Sequence, residues 1–211
     1  MRLLIDDVFA TSTYTAALAA GALAPPAGLE VVRTPRLLAA DTGPQDAALI
    51  AAPGVLYLQQ THAIAPQIAV VAQDTGAAAM RVPARPDEIE ATPVRLLETG
   101  LTAEWLARAL LRPFYGIEVT KWIAADNDPD VTRAEVVIVE GAEALREPEG
   151  GFSEDLVRAW YILHNQFVVS HVLLLPREIA PEDAALVLGF LAAAREAGLA
   201  ARREWRPALA E

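Results

Sequence analysis

MRLLIDDVFATSTYTAALAAGALAPPAGLEVVRTPRLLAADTGPQDAALIAA, residues 1–52, decides the fold class. MRLLIDD (1–7) is a short apolar run ending in two acids and reads as a strand. TYTAALAAGAL (13–23) is an alanine-rich helical pattern stopped by Gly21 and then Pro25-Pro26. LEVVRTP (29–35) reads as a second strand, LLAAD (37–41) as a short helix, and GPQDAALIAA (43–52) as a turn feeding a buried third strand. The order β, α, β, α, β predicts parallel neighbours joined by right-handed crossovers, hence an α/β protein.

Outward from there, IAVVAQ (68–73) and AAMRV (78–82) flank the turn Asp74-Thr75-Gly76, and PARPDEIEA (83–91) breaks the pattern. TPVRLLE (92–98) is a new strand entering Thr99-Gly100-Leu101-Thr102. A helix follows with Trp105, Leu106, Ala109 and Leu110 at helical spacing, Thr102 as its cap, Glu104 at its positive end and Pro113 as its stop. VTKWIAA (119–125) and AEVVIVEG (134–141) read as strands, EDLVRAWYILHN (154–165) as a helix, and FVVSHVLLLP (167–176) as a long β run. Pro181 opens a last helix whose Leu186, Val187, Phe190, Leu191 and Ala194 form one stripe, ended by Gly198. A second βα series thus begins near residue 92. If the last helix packs on the first half, residues 1–88 with 178–211 form lobe I and 89–177 form lobe II, with a ligand cleft between them.

Composition bounds the chemistry. With 211 residues, 54% of them hydrophobic, the chain can bury one large core or two modest ones. The formal charge is −11, and Lys121 is the only lysine beside sixteen arginines. That balance argues against nucleic acid and anionic lipid as partners, because a polyanion needs a basic stripe. The absence of cysteine removes disulfides, thiolate nucleophiles and sulfur-ligated metals. Asp6 and Asp7 fall where a signal peptide carries its apolar region, so the expected location is cytoplasmic. FVVSHVLLL (167–175) and AALVLGFLAAA (184–194) read as too short to cross a bilayer.

Asp6 and Asp7 end the first strand, where open α/β sheets place ligands, although acids there also serve as helix caps or solvated groups. Thr11-Ser12-Thr13-Tyr14 offers four hydroxyls before a helix, suited to a carboxylate, with plain capping by Ser12 or Thr13 as the other reading. Thr99-Gly100-Leu101-Thr102 is the best single candidate, because Gly100 permits close approach and a helix directs N–H groups at the loop. His62, His164 and His171 are too few and too scattered for a metal cage, and no metal site is expected. His171, between Ser170 and Val172, reads as a hydrogen-bonded core imidazole or a cleft residue, and His164 as a loop residue. Walker, GxGxxG and GxSxG motifs are missing, and spacing identifies no Ser/His/acid triad. Trp105, Trp122, Trp160 and Trp205 are isolated and read as core or surface cover.

Four segments carry a resemblance over residues 1 to about 200. GPQDAALI (43–50), VPARPDEIEATPVRLLETGLTAEWLARALL (82–111), AEVVIVEGAEALR (134–146) and DLVRAWYILHNQFVV (155–169) resemble the corresponding stretches of the chorismate dehydratases of the futalosine route to menaquinone. That resemblance implies the type 2 periplasmic-binding fold in a cytoplasmic protein, with chorismate or a related aromatic carboxylate between the lobes. It also implies a carbon–oxygen lyase without metal or organic cofactor. Loss of water aromatises the ring, so the site need only fix a dianion and assist departure of a hydroxyl. Thr102, Gly141 and Phe167 match the family's cleft positions, with Thr99 and Gly100 in the same loop.

Other positions depart from the family. Its Tyr-Leu-Asn becomes Val8-Phe9-Ala10, so the substrate-contacting Asn is Ala10. Its Thr-Ser becomes Thr102-Ala103, and its Gly-Asp becomes Gly141-Ala142. The expected ligand set is therefore Asp6, Thr11, Ser12, Thr13, Thr99, Gly100, Thr102, Gly141, Phe167, Ser170 and His171, holding a small anion. Three functions stand open: a chorismate-dehydratase-like enzyme, a non-catalytic anion-binding or sensory protein of the same fold, and an interaction protein with no small ligand.

Overall fold

Alternate residues of the first and third strands go to opposite faces of one sheet, and both faces are covered. In the computed structural model, which describes residues 1–148 and 150–205 with side chains through 201, β1 (Arg2–Asp6) sends Leu3 and Ile5 to one core and Leu4 to the other. β3 (Ala47–Ala51) likewise divides Leu49 from Ala48 and Ile50. Burial on both faces is why these strands read as unbroken apolar runs rather than alternating ones. Each large apolar side chain so buried contributes about 1.5–3 kcal/mol.

Two units divide the chain: Met1–Val70 with Ser170 onward, and Val71–Val169. The chain passes between them inside β4 (His62–Ala72) and inside β10 (Val168–Pro176). These crossings differ from the sequence-derived boundaries at 88/89 and 177/178. The first boundary moves because β5 (Ala78–Val82) pairs antiparallel with β8 (Val136–Glu140) and β9 (Phe152–Asp155) and so belongs to the second unit, and the second because β10 pairs with β3 in the sheet of the first.

The first unit holds a five-stranded sheet in the order β2-β1-β3-β10-β4, with β2 spanning Glu30–Thr34. β1 runs parallel to β2 and β3, and β10 antiparallel to β3. α1 (Ser12–Ala19) and α6 (Pro181–Trp205) pack on one face. α6 continues through Gly198, where the sequence reading ended it. A Cβ at Gly198 would lie 2.1 Å from the Thr13 carbonyl oxygen, so this glycine permits close helix contact instead of terminating a helix. Residues Pro181–Ala201, with mean hydropathy 1.5, also have the length and composition of a membrane span, correcting the expectation that no run here is long enough. Its stripe Val187, Phe190, Leu191 and Ala194 is buried, and the first three belong to the core of the unit.

The second unit repeats the plan with the sheet β7-β6-β8-β5-β9, where β6 is Ala91–Leu97 and β7 is Glu118–Ile123. α3 (Leu101–Leu110) and α5 (Leu156–His164) cover one face, burying Met80, Val94, Leu106, Leu110, Ile138 and Leu156. Two short helices, α2 (Val55–Leu58) in the first unit and α4 (Ala142–Leu145) in the second, complete the chain.

Asp155 anchors α5. Its Oδ1 accepts the N–H groups of Val157 at 2.8 Å and Arg158 at 3.3 Å, and its Oδ2 accepts those of Thr75 and Gly76 at 2.8 Å each. One carboxylate thereby caps a helix and closes the turn between β4 and β5. Asn165 ends the helix in the left-handed region, at φ 53°. His164 is the last residue of α5, packed on Trp160 at 4.1 Å between centroids, rather than a loop residue. The side chain of Trp205 lies outside the described residues.

Candidate functional site

The carboxyl end of β1 gathers four of the candidates named from sequence. Asp6 is buried; its Oδ1 accepts the N–H of Leu37 at 3.0 Å, and its Oδ2 lies 3.2 Å from His171 Nε2. His171, only 2% exposed, sits on β10 opposite Ala51 of β3. Its Nδ1 lies 3.2 Å from Ser170 Oγ, which stands 3.4 Å from the Val70 carbonyl. An imidazole that donates Nε2–H to Asp6 leaves Nδ1 as an acceptor, so Nδ1 and the Val70 carbonyl compete for the one Ser170 hydroxyl proton. A carboxylate removed from water needs such donors, because an unpaired buried charge is costly. This Ser170–His171–Asp6 chain was invisible to spacing, since Asp6 and His171 stand 165 residues apart.

Thr11 belongs to the same corner but works locally. It is fully buried, its Oγ1 donates to the carbonyls of Asp6 and, at 3.0 Å, Val8, and it accepts the Val8 N–H at 3.2 Å. The hydroxyl therefore closes the turn from β1 into α1. Ser12 and Thr13 follow as the first two residues of α1, partly exposed. Their side chains make no hydrogen bond to the described residues, which leaves both hydroxyls beside the positive end of the helix. Asp7 points elsewhere, to Arg33 at 3.4 Å.

The loop before α3 is built differently from the sequence expectation. Gly100 is the N-cap, so Thr102 lies inside the first turn, buried, and is not the capping residue. The cap comes from outside the helix: the Gly100 N–H donates to Glu140 Oε2. A Cβ at Gly100 would sit 2.9 Å from that oxygen, so the close approach that glycine permits is used by Glu140. Thr99 is partly buried in the same loop. Gly141, next to Glu140, has φ 67°, a conformation that disfavours side chains, and its N–H donates to the Ala77 carbonyl at 2.8 Å. Phe167 is 58% exposed and stacks on Tyr161 of α5, with centroids 5.8 Å apart.

Sequence reasoning missed Glu140. Its signal was present, an acid ending the buried strand Val136–Glu140 directly before a glycine, at the carboxyl edge where functional groups gather. Among the described residues no group of three or more His, Asp or Glu is placed to hold a metal ion. His62 is committed to Thr61 Oγ1 at 2.8 Å and the Asp46 carbonyl at 2.9 Å.

Among solved structures, the chain is similar to protein AF1704 from Archaeoglobus fulgidus, with a TM-score of 0.65 and 12% identity over 96% of this chain and 78% of that one. It is also similar to the periplasmic aliphatic sulphonate binding protein SsuA from Escherichia coli, with a TM-score of 0.62 and 14% identity over 100% of this chain and 76% of that one. No protein-family model and no curated protein matches the chain. At such identities the likeness is one of fold: two α/β units with mixed sheets, of the type 2 periplasmic-binding kind.

Proposed function

We propose that this protein binds a small carboxylate of the chorismate class, and that the amino terminus of α1 holds its negative charge. The observation that carries the reading is the pair of Ser12 and Thr13 hydroxyls, uncommitted among the described residues at the start of a helix that follows the carboxyl edge of β1. Backbone N–H groups, a helix dipole and two hydroxyls together suit an anion. The sulphonate-binding protein of the same fold, named for an anionic ligand, supports that class. The sequence resemblance to chorismate dehydratases supports an aromatic or cyclohexadienyl carboxylate in particular.

Binding without turnover is the reading we favour, because Ala10 stands where the resembling enzymes carry a substrate-contacting Asn. Thermal-shift measurement with chorismate, benzoate derivatives and sulphonates tests the proposal. A ligand at one hundred times its dissociation constant stabilises by about 2.7 kcal/mol. The S12A/T13A double variant is expected to keep its fold and lose that shift. Release of an aromatic product from chorismate would replace the binder with a lyase of menaquinone metabolism. A melting temperature indifferent to every carboxylate and sulphonate would reject both.

A further inference from the structure

We propose that Asp6, His171, Ser170 and the Val70 carbonyl form a proton-operated latch within the first unit. A proton taken up at His171 Nδ1 reverses the Ser170 hydroxyl and commits its hydrogen to Val70, joining β10 to β4. The inference involves no ligand and neither Ser12 nor Thr13, so it stands or falls apart from the binding proposal. Its basis is a continuous row of contacts: Asp6 Oδ2 lies 3.2 Å from Nε2, Ser170 Oγ lies 3.2 Å from Nδ1, and the Val70 carbonyl oxygen lies 3.4 Å from that Oγ. β10 and β4 are neighbours in the sheet, and Val70 and Ser170 are the residues at which the chain leaves the first unit and returns to it.

The row needs one hydrogen for each of its three contacts, and the carboxylate and carbonyl at its ends bring none. Neutral imidazole and hydroxyl bring two. Nε2–H then serves Asp6, and the Ser170 hydrogen serves either Nδ1 or Val70. Imidazolium brings the third: Nε2–H stays on Asp6, Nδ1–H donates to Ser170 Oγ, and the hydroxyl hydrogen goes to Val70. The added charge is met where it forms, because the Asp6 carboxylate faces a ring only 2% exposed.

The groups around the ring leave Asp6 as its charged partner. Asp7 of β1 faces Arg33 of β2 at 3.4 Å, and Arg36, beside the Leu37 whose N–H reaches Asp6, is exposed. Opposite His171, β3 presents Ala51, which does not titrate. His62 of β4 is held by Thr61 Oγ1 and the Asp46 carbonyl. On the helical face, α1 carries Tyr14 as its titratable side chain, and α6 has Glu182 and Asp183 in its first turn and keeps Arg195 and Glu196 exposed.

A pH titration of the full chain, labelled with ¹³C and ¹⁵N, tests the latch by following the His171 ring nitrogens and the Val70 carbonyl carbon. As pH falls, Nδ1 is expected to change from a bare to a protonated nitrogen while Nε2 stays protonated. The Val70 carbonyl should move downfield with the same midpoint. S170A should keep the His171 titration and lose the Val70 response. A Val70 carbonyl indifferent to the titration, an equal response in S170A, or an Nδ1 fixed in one state throughout the folded range would overturn the proposal. Should S170A fail to fold, S170C serves: a thiol is a weak donor, so the Val70 response should shrink, and a full response counts against the latch.

Discussion

His171 Nε2 lies 3.2 Å from Asp6 Oδ2, joining two strands through a pair in which neither side chain is more than a few per cent exposed. His171→Ala leaves the Asp6 carboxylate with the Leu37 N–H as a donor and opens a void. The expected cost is about 3 kcal/mol, as for breaking a buried pair by removing one partner. Urea denaturation measures it, and a loss below about 0.5 kcal/mol would mean that the pair contributes little.

Gly198→Ala sets two effects against each other. Alanine favours a helix interior over glycine by about 1 kcal/mol. Its methyl would meet the Thr13 carbonyl at 2.1 Å, and overpacking of this kind costs about 1–3 kcal/mol. Because the obstacle is backbone, which cannot swing aside, the clash should win and the melting temperature should fall. A rise would show that the contact between α1 and α6 relaxes freely.

Asp155→Ala removes the acceptor for four N–H groups, two in the first turn of α5 and two in the turn at Thr75 and Gly76. Loss of a cap alone costs about 1 kcal/mol. The additional unpaired amides raise the expectation to about 2 kcal/mol. Faster hydrogen exchange at Thr75 and Gly76, together with Val157, distinguishes this from a cap that serves α5 alone.

The Arg2–Asp46 pair makes stability depend on pH in one direction. A hydrogen bond from Arg2 is the first cause holding the Asp46 carboxyl below its ordinary value, and the Gly43 N–H adds to it against the effect of burial. A folded pKa below the unfolded one gives stability that is present above the unfolded value and is lost as pH falls through the folded one. The stability difference between wild type and Arg2→Met should therefore be full at neutral pH and shrink below about pH 4. A difference that stays constant down to pH 2 would assign the effect of Arg2 to packing of its stem.

The apolar runs of β1 and β3 were legible because two covered faces leave no polar alternation to misread. Gly198 was not, since a contact glycine and a terminating glycine are the same letter, and only the neighbouring α1 decides between them. β9 went unread because Phe152–Asp155 is short and mostly polar, and its strand character comes from pairing with β5 some seventy residues earlier. Thr102 was assigned as a cap because hydroxyls usually fill that role, whereas here a distant glutamate does. The residues of the β1 corner were named individually from strand ends and hydroxyl clusters. That Asp6, His171 and Ser170 form one bonded chain depends on β10 reaching that corner beside β3.

In the order β3-β10-β4, the strand made last fills the gap between two made much earlier. During synthesis residues 71–169 leave the ribosome as one uninterrupted stretch, while the sheet of the first unit still lacks an inner member. Assembly is then vectorial: the later-numbered unit can close its core first, and β4 waits with an unsatisfied edge until residue 176 emerges.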